Sequence, residues 1–342
     1  MTVRFAVIGL GYWGQNYPRV LRDLAGAQLT ALCDIDPDRL ERAAKRWPDV
    51  PTFDRIDSLL DAGVADAVIV GTPASTHFEV ASQALAAGLH TLVEKPLAAR
   101  SDDAAKLDED AARRGLVLLV GHTFLYSPRV EYVRDVIAGG ELGSIRYLYS
   151  RRLNLGKVRN DVDSLWNFGP HDVSIVMHLL GSAPVRVGAQ TLHCLGRPVA
   201  DVSFVNLEFP GPVWAHLHMS WLDPKKVREM VIVGSKRMLV YDDVDGDEPV
   251  RIYDAGVTPD AEGISFADYA EFQLAVRMGN VIAPKISGEE PLVRQCAHFI
   301  RCITDGETPI TPGSQGVEVV RVLEAASRSA ERRGAEVKLV PA

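Results

Sequence analysis

Val3-Arg4-Phe5-Ala6-Val7-Ile8-Gly9-Leu10-Gly11-Tyr12-Trp13-Gly14 decides the fold of this 342-residue chain. An apolar run ends in glycines spaced G-x-G-x-x-G and passes into a helical pattern from Trp13 to Leu24. The spacing predicts a buried strand, a tight turn and a helix whose first N–H groups face an anion. Gly9 makes the turn, Gly11 lets the backbone approach a pyrophosphate, and Gly14 lets helix and strand pack closely. A second strand, Gln28 to Cys33, ends in Asp34, about twenty residues past the glycines, where an acid receives a ribose 2′-hydroxyl. A solvated Asp after an ordinary strand–helix turn would leave part of this pattern. Strand, helix, strand and acid together favour dinucleotide binding.

Outward from this stretch the alternation of strand and helix continues to residue 122. Asp36-Pro37-Asp38 opens a helix running through Arg46, Thr52-Phe53 reads as a short strand, and Ile56 to Asp61 as a short helix. Ala67-Val68-Ile69-Val70 is a continuous apolar run, as in a strand buried on both faces. Helix Thr76–Ala87, strand Thr91–Val93, helix Asp102–Arg114 and strand Val117–Val120 follow. The fold class expected is α/β, a doubly wound parallel Rossmann sheet over residues 1–122. Ligands of such sheets sit beyond the carboxyl ends of the strands. Gly9, Asp34, Thr72-Pro73, Lys95 and His122 are therefore expected along one edge, and Tyr12, Trp13, Gly14, His77 and Glu94 join them as cofactor-binding candidates.

Residues 123–342 have another character. After a helix from Arg129 to Ala138, Ile145–Ser150 alternates as a half-buried strand does. A polar loop is expected from Arg151 to Ser164, then a helix from Pro170 to Leu180, because proline suits a first helical turn. Alternating runs at Val185–Leu195, Val202–Phe209, Val213–Trp221, Val227–Val233 and Met238–Tyr241 imply an α+β domain with an open, mostly antiparallel sheet. Two helices, Glu290–Asp305 and Gly316–Arg333, close the chain. The second is expected to pack back on the first domain, with no later strand long enough to join either sheet.

Composition narrows the function. A charge of −8, from 37 basic and 45 acidic residues, gives no electrostatic case for nucleic acid or an anionic membrane. No apolar run is long enough to span a bilayer, and Met1 leads almost directly into the first strand, so no signal peptide is expected. Cys33, Cys194, Cys296 and Cys302 are scattered, as reduced thiols of a cytoplasmic enzyme would be. Cys296-Ala297-His298 with Cys302 has metal-like content but lies on one helix, His216 and His218 share a strand face, and Asp242-Asp243-x-Asp245-x-Asp247 lacks the terminal glutamate of a calcium loop. No metal is expected.

Two stretches hold the candidate chemistry. Glu94-Lys95-Pro96 puts an ammonium at the end of an apolar strand, where it could assist a substrate hydroxyl or simply pair with Glu94 in a turn. In Trp166-Asn167-Phe168-Gly169-Pro170-His171-Asp172, His171 would open a helix, where the neutral imidazole is favoured and can act as a base or merely cap. In this order, G-x-G-x-x-G, the strand-end Asp, E-K-P, a G-H-x-x-x-x-x-P segment (Gly121, His122, Pro128) and the histidine resemble the Gfo/Idh/MocA oxidoreductases over essentially the whole chain. By that resemblance Lys95 and His171 are the catalytic pair and the second-domain sheet forms a homodimer or homotetramer, while Asp34, which repels a 2′-phosphate, makes NAD the expected cofactor ahead of NADP, with Arg39 close by. Many sugar and inositol dehydrogenases of the family carry Asp where this chain has Asn167, which can orient a hydroxyl but not take its proton. Asn at this position resembles the branch that oxidises the 3-hydroxyl of nucleotide-linked sugars.

A nucleotide sugar would use Arg151, Arg152, Asn154 and Arg159 of the expected loop, arginine forks suiting phosphate and asparagine suiting hydroxyls. Tyr126 and Trp166 complete the expected substrate set with Lys95, Asn167 and His171. The alternatives are a dehydrogenase of a free sugar or inositol, an NAD-dependent glycosidase with no net redox, and a ligand sensor without chemistry. Carrying both Lys95 and His171 argues against the last.

Overall fold

The computed structural model of the protein describes residues 1–156, 158–258 and 275–339. The chain forms two units, Met1–Ser127 with Gly288–Glu324, and Pro128–Ser287 with Ala325–Ala342.

In the first unit the chain runs β1 (Val3–Ile8), α1 (Tyr17–Asp23), β2 (Ala27–Cys33), α2 (Pro37–Arg46), β3 (Thr52–Phe53) and α3 (Ile56–Asp61). It continues through β4 (Ala67–Val70), α4 (His77–Ala86), β5 (His90–Glu94), α5 (Ser101–Arg114) and β6 (Leu118–Gly121). All six strands are parallel, in the order β3-β2-β1-β4-β5-β6. The doubly wound sheet expected from the sequence is present. The order reverses beside β1, the point at which such sheets bind ligands. The expected helix from Trp13 instead starts at Tyr17, after a 3-10 turn over Gly14–Asn16. Pro18 explains the late start, since proline is tolerated only in a first helical turn.

The segment Gly288–Glu324, far along the chain, completes this core. Phe5, Val7, Tyr17, Leu21, Leu32, Ile69 and Leu92 share one cluster with Leu292, Cys296 and Phe299. The rings of Phe5 and Phe299 lie 5.9 Å apart and tilted. Truncating a fully buried Phe of this kind costs about 3–5 kcal/mol, so the helix carrying Phe299 belongs to this unit energetically as well as spatially.

The second unit contains α6 (Pro128–Ala138), β7 (Ile145–Leu155), α7 (Ser164–Leu180), β8 (Arg186–Leu192), β9 (Val202–Glu208) and β10 (Trp214–Ser220). Then come β11 (Leu222–Gly234), β12 (Met238–Asp242), β13 (Val250–Thr258) and β14 (Ala275–Ile282). After α8 (Pro291–Thr304) and α9 (Gly313–Glu331), which includes the unit boundary, β15 (Val337–Lys338) returns to this sheet. Among the described residues nine strands lie in the order β14-β13-β12-β11-β7-β10-β9-β8-β15, with β7 and β10 paired in parallel and the other neighbours antiparallel.

Three expectations change here. Strand β7 runs on to Leu155, where a loop was expected from Arg151, because the in–out alternation persists and the charged side chains find partners. Helix α7 starts at Ser164 rather than Pro170, since the Asp163 side chain caps it by accepting the Trp166 N–H at 2.8 Å. And β15, only two residues long, does pair with β8.

Candidate active site

The glycine turn is built as the spacing required. Gly9 has φ +91°, and a Cβ there would lie 2.6 Å from the Thr72 nitrogen. On Gly14 a Cβ would fall 1.9 Å from the Gly9 carbonyl oxygen. At Gly11 the nearest atom is Arg39 Nη1, at 3.7 Å, so the backbone is left open to close approach. Asp34, 5% exposed, accepts the Leu10 N–H at 2.6 Å on one oxygen and the Asp36 N–H at 2.9 Å on the other. A carboxylate has about four lone-pair sites, so capacity for a ribose hydroxyl remains. Arg39 Nη1 stands 3.5 Å from Asp34 Oδ2. This cradle and acid fit a dinucleotide. Tyr12 and Trp13 are exposed beside the turn.

Strand β5 delivers Glu94 and Lys95. Glu94 is buried, accepts the Tyr17 hydroxyl on one oxygen and the Lys95 N–H at 3.2 Å on the other. Burial pushes its carboxyl above the ordinary range, against the opposing pull of Tyr17 and then Lys95. His122 sits 1% exposed at the end of β6, with both ring nitrogens buried and no hydrogen-bond partner among the described residues. Burial, and then the Lys95 charge, push its pKa down to about 3. A neutral ring thus presents one donor and one acceptor, the kind of buried polar group a ligand satisfies.

Other residues expected here hold the scaffold. His77 is buried with Nδ1 2.7 Å from the Pro96 carbonyl and Nε2 2.9 Å from that of Thr72, joining the turns after β5 and β4. Pro73 is exposed, and the Thr72 hydroxyl accepts one from Thr76 at 2.9 Å. Tyr126 is 3% exposed with its hydroxyl 2.9 Å from that of Thr311. His298 meets Cys302 at 3.4 Å and accepts the Ile310 N–H at 2.9 Å, so that cluster is packing. Among the described residues no group of three His, Cys, Asp or Glu is arranged for a metal, and no helix is long and apolar enough to cross a membrane.

In the second unit, Asn167 and His171 lie four apart on α7 and share a face. His171 is two turns inside the helix, so the field of the helix end, which fades within the first turn, does not hold its ring neutral as expected. Pro170 sits in the interior and offers no N–H to the Trp166 carbonyl. The Trp166 indole donates to Ser327 Oγ at 3.0 Å.

Register sorts the arginines. Arg152, 7% exposed, grips Asp172 of α7 through Nε at 2.9 Å and Nη2 at 2.8 Å. Successive strand residues face opposite sides, so Arg151 lies on the other face, where it meets Glu229 at 2.5 Å. Asn154 shares the face of Arg152, and its Oδ1 is buried without a partner among the described residues. Arg159 pairs with Asp161 at 2.5 Å, and Lys157 falls outside the described residues. Tyr17 and Asp172 went unassigned in the sequence. An acid at a buried helical position facing an alternate strand arginine was the available signal for Asp172.

Comparison with known proteins adds the ancestry of this arrangement. Residues 3–122 match the "Oxidoreductase family, NAD-binding Rossmann fold", and residues 130–240 the "GFO/IDH/MocA C-terminal domain". A UDP-N-acetylglucosamine 3-dehydrogenase of Acidithiobacillus ferrooxidans is 31% identical over 265 residues, 77% of this chain and 81% of that protein. A solved structure of the 3-dehydrogenase from that organism superposes with a TM-score of 0.82 at 25% identity, over 97% of this chain and 99% of the other. A D-apiose dehydrogenase of Paraburkholderia graminis is 26% identical over 98% of this chain and 89% of its own. With both domain matches lying on the two sheets just described, this chain belongs to the Gfo/Idh/MocA family of NAD(P)-dependent oxidoreductases.

Proposed function

We propose that the protein interconverts a secondary hydroxyl and a ketone on a sugar, using NAD, and that the substrate is a UDP- or dTDP-linked sugar reacting at C3. The observation that carries this reading is the 31% identity to a UDP-N-acetylglucosamine 3-dehydrogenase across most of both chains. Asn167 in place of the Asp of many sugar and inositol dehydrogenases supports it. The glycine turn and Asp34 would hold the dinucleotide, which would supply the hydride acceptor. His171 removes the hydroxyl proton as general base, Asn167 orients that hydroxyl from the same helix face, and Lys95 stabilises the developing alkoxide. Asp34 favours NAD over NADP by opposing a 2′-phosphate, and Arg39 beside it moderates that preference. A cytoplasmic homodimer or homotetramer, with the exposed sheet face of Tyr147 and Trp214 as its interface, completes the reading.

Magnitudes decide which side chains are available for a diphosphate. Exposed pairs such as Arg159–Asp161 are worth about 0–1 kcal/mol, and a charged hydrogen bond to phosphate about 1.5–3. Arg159 can therefore exchange partners. Arg152 cannot, because stripping a buried carboxylate of its partner costs about 3–5 kcal/mol. Asn154 and Arg159 are the assigned substrate contacts. That commitment of Arg152 also favours a second reading, a dehydrogenase of a free sugar, in line with the D-apiose relative.

The test is kcat/KM from NADH formation, for one sugar with and without its nucleoside diphosphate, in wild type, Asn154→Ala and Arg159→Ala. A strong preference for the nucleotide sugar, reduced in both variants, is expected. Equal values for the two substrates would leave the free-sugar enzyme, and turnover without net NADH would point to a glycosidase.

A further inference from the structure

Asp172 follows His171 directly, yet the chemistry above gives it no part. It is 2% exposed and held by two hydrogen bonds from Arg152. One turn earlier on the same stripe, Phe168 meets Trp221 edge-on with ring centres 6.2 Å apart. Asn167 and His171 occupy the adjoining stripe. Two anchors on one stripe fix the rotation of α7 about its axis and so the direction of the other. They act next to Pro170, where the helix lacks a backbone hydrogen bond. We propose that the Arg152–Asp172 pair is the positioning element of His171, aiming its ring and keeping the charge beside it at zero. The proposal rests on the reading of His171 as the base.

The charges facing α7 from its neighbours make the second role specific. Beyond Arg152 on β7 stand Tyr241 and Asp243, with Asp243 3.2 Å from Arg228 of β11 and from the Tyr241 hydroxyl. Arg129 of α6 donates to the carbonyls of Asp243 and Asp245 at 3.4 Å. Glu131, Arg134 and Asp135 surround His178, two turns further along α7. From β9 and β10 the residues turned toward the helix, among them Ser203, Leu217 and Met219, are uncharged. Asp243 pairs with Arg228, and beside Trp221 Arg197 pairs with Asp201, while Asp172 is the carboxylate that grips Arg152 through two hydrogen bonds.

Removing either partner leaves charges of opposite sign beside His171. Asp172→Asn leaves an arginine that stays protonated at every working pH, and should move the pKa of His171 down, because a like charge disfavours the imidazolium. Arg152→Met should leave it at or above the wild-type value. The double variant Arg152→Met/Asp172→Leu restores neutrality, and buried pairs replaced by apolar side chains commonly fold well. It should titrate as wild type while kcat falls about tenfold at little change in KM, because aim is lost.

The readout is a histidine NMR titration of the whole chain without substrate, with the His171 signal assigned from His171→Gln, alongside kcat and KM. A His171 pKa that moves down in both single variants, or in neither, overturns the proposal. Should the single variants not fold, a double variant with full kcat overturns it instead. If His171→Gln keeps wild-type turnover, the base assignment fails, and the titration still reports separately on the pair.

Discussion

The surroundings of Lys95 and those of His171 solve one problem in two ways. Beside Lys95 the supporting groups are kept uncharged or hydrogen-bonded by burial: Glu94 on Tyr17, His122 enclosed and neutral. Beside His171 the support is a neutralised ion pair, Arg152 on Asp172. Desolvation makes the first region sensitive to pH and to loss of a donor. Charge pairing makes the second sensitive to the charge left by loss of one partner, whereas losing both restores neutrality and folding but not the aim of the ring. Chemistry-bearing side chains can thus be held either by withholding water or by balancing charge, and the two respond to different perturbations.

The comparison is most severely tested at Lys95. Lys95→Ala should cut turnover by about 10²-fold or more, the scale of a positioned electrostatic or acid–base group, with NADH affinity by fluorescence titration roughly unchanged. Normal turnover would make the lysine structural and dissolve the first half of the contrast.

His122 tests desolvation itself. Its folded pKa lies near 3, below the unfolded value of about 6.5. The unfolded chain therefore binds the extra proton between those values, and stability is present above the unfolded pKa and lost as pH falls toward the folded one. The loss from this group between pH 6.5 and pH 4 is about 3 kcal/mol at ~1.4 kcal/mol per unit. His122→Phe should flatten that part of the acid limb in urea unfolding. An unchanged limb would mean that burial does not govern the ring.

A smaller effect is expected at Tyr17. Tyr17→Phe keeps the packing but deprives Glu94 of its hydroxyl donor, a loss of about 1–3 kcal/mol for a buried charged acceptor. Thermal melting should show it, more strongly above the Glu94 pKa than below, because the carboxylate is the form that needs the donor. Equal loss at both pH values would deny the ionic character of the contact.

Arg151→Ala sharpens the contrast from the other side. Its pair with Glu229 is on the exposed sheet face, and such substitutions fall within about 0.5 kcal/mol. KM for a nucleotide sugar should stay at its wild-type value. A several-fold rise would return Arg151 to the substrate and break the face assignment drawn from β7.

What could be read from the chain alone was local. The parallel sheet, the glycine turn and Asp34 follow from contiguous patterns, in which an apolar run, three glycines and an acid at fixed spacing leave the backbone few alternatives. The antiparallel strands likewise announce themselves through alternation. Residues Arg151 to Asn154 resisted because charge at consecutive positions reads as solvent exposure until the partners are known. Only the tertiary structure brings Asp172 to Arg152 across 20 positions and Glu229 to Arg151 across 78, turning an expected loop into a strand with two different faces. Pro170 misled for the same reason, since a capped helix packed on a sheet tolerates an interior proline that an isolated one would not. Burial of His122 and the Tyr17–Glu94 contact also belong to the folded state, because desolvation and long-range hydrogen bonds have no local spacing to betray them.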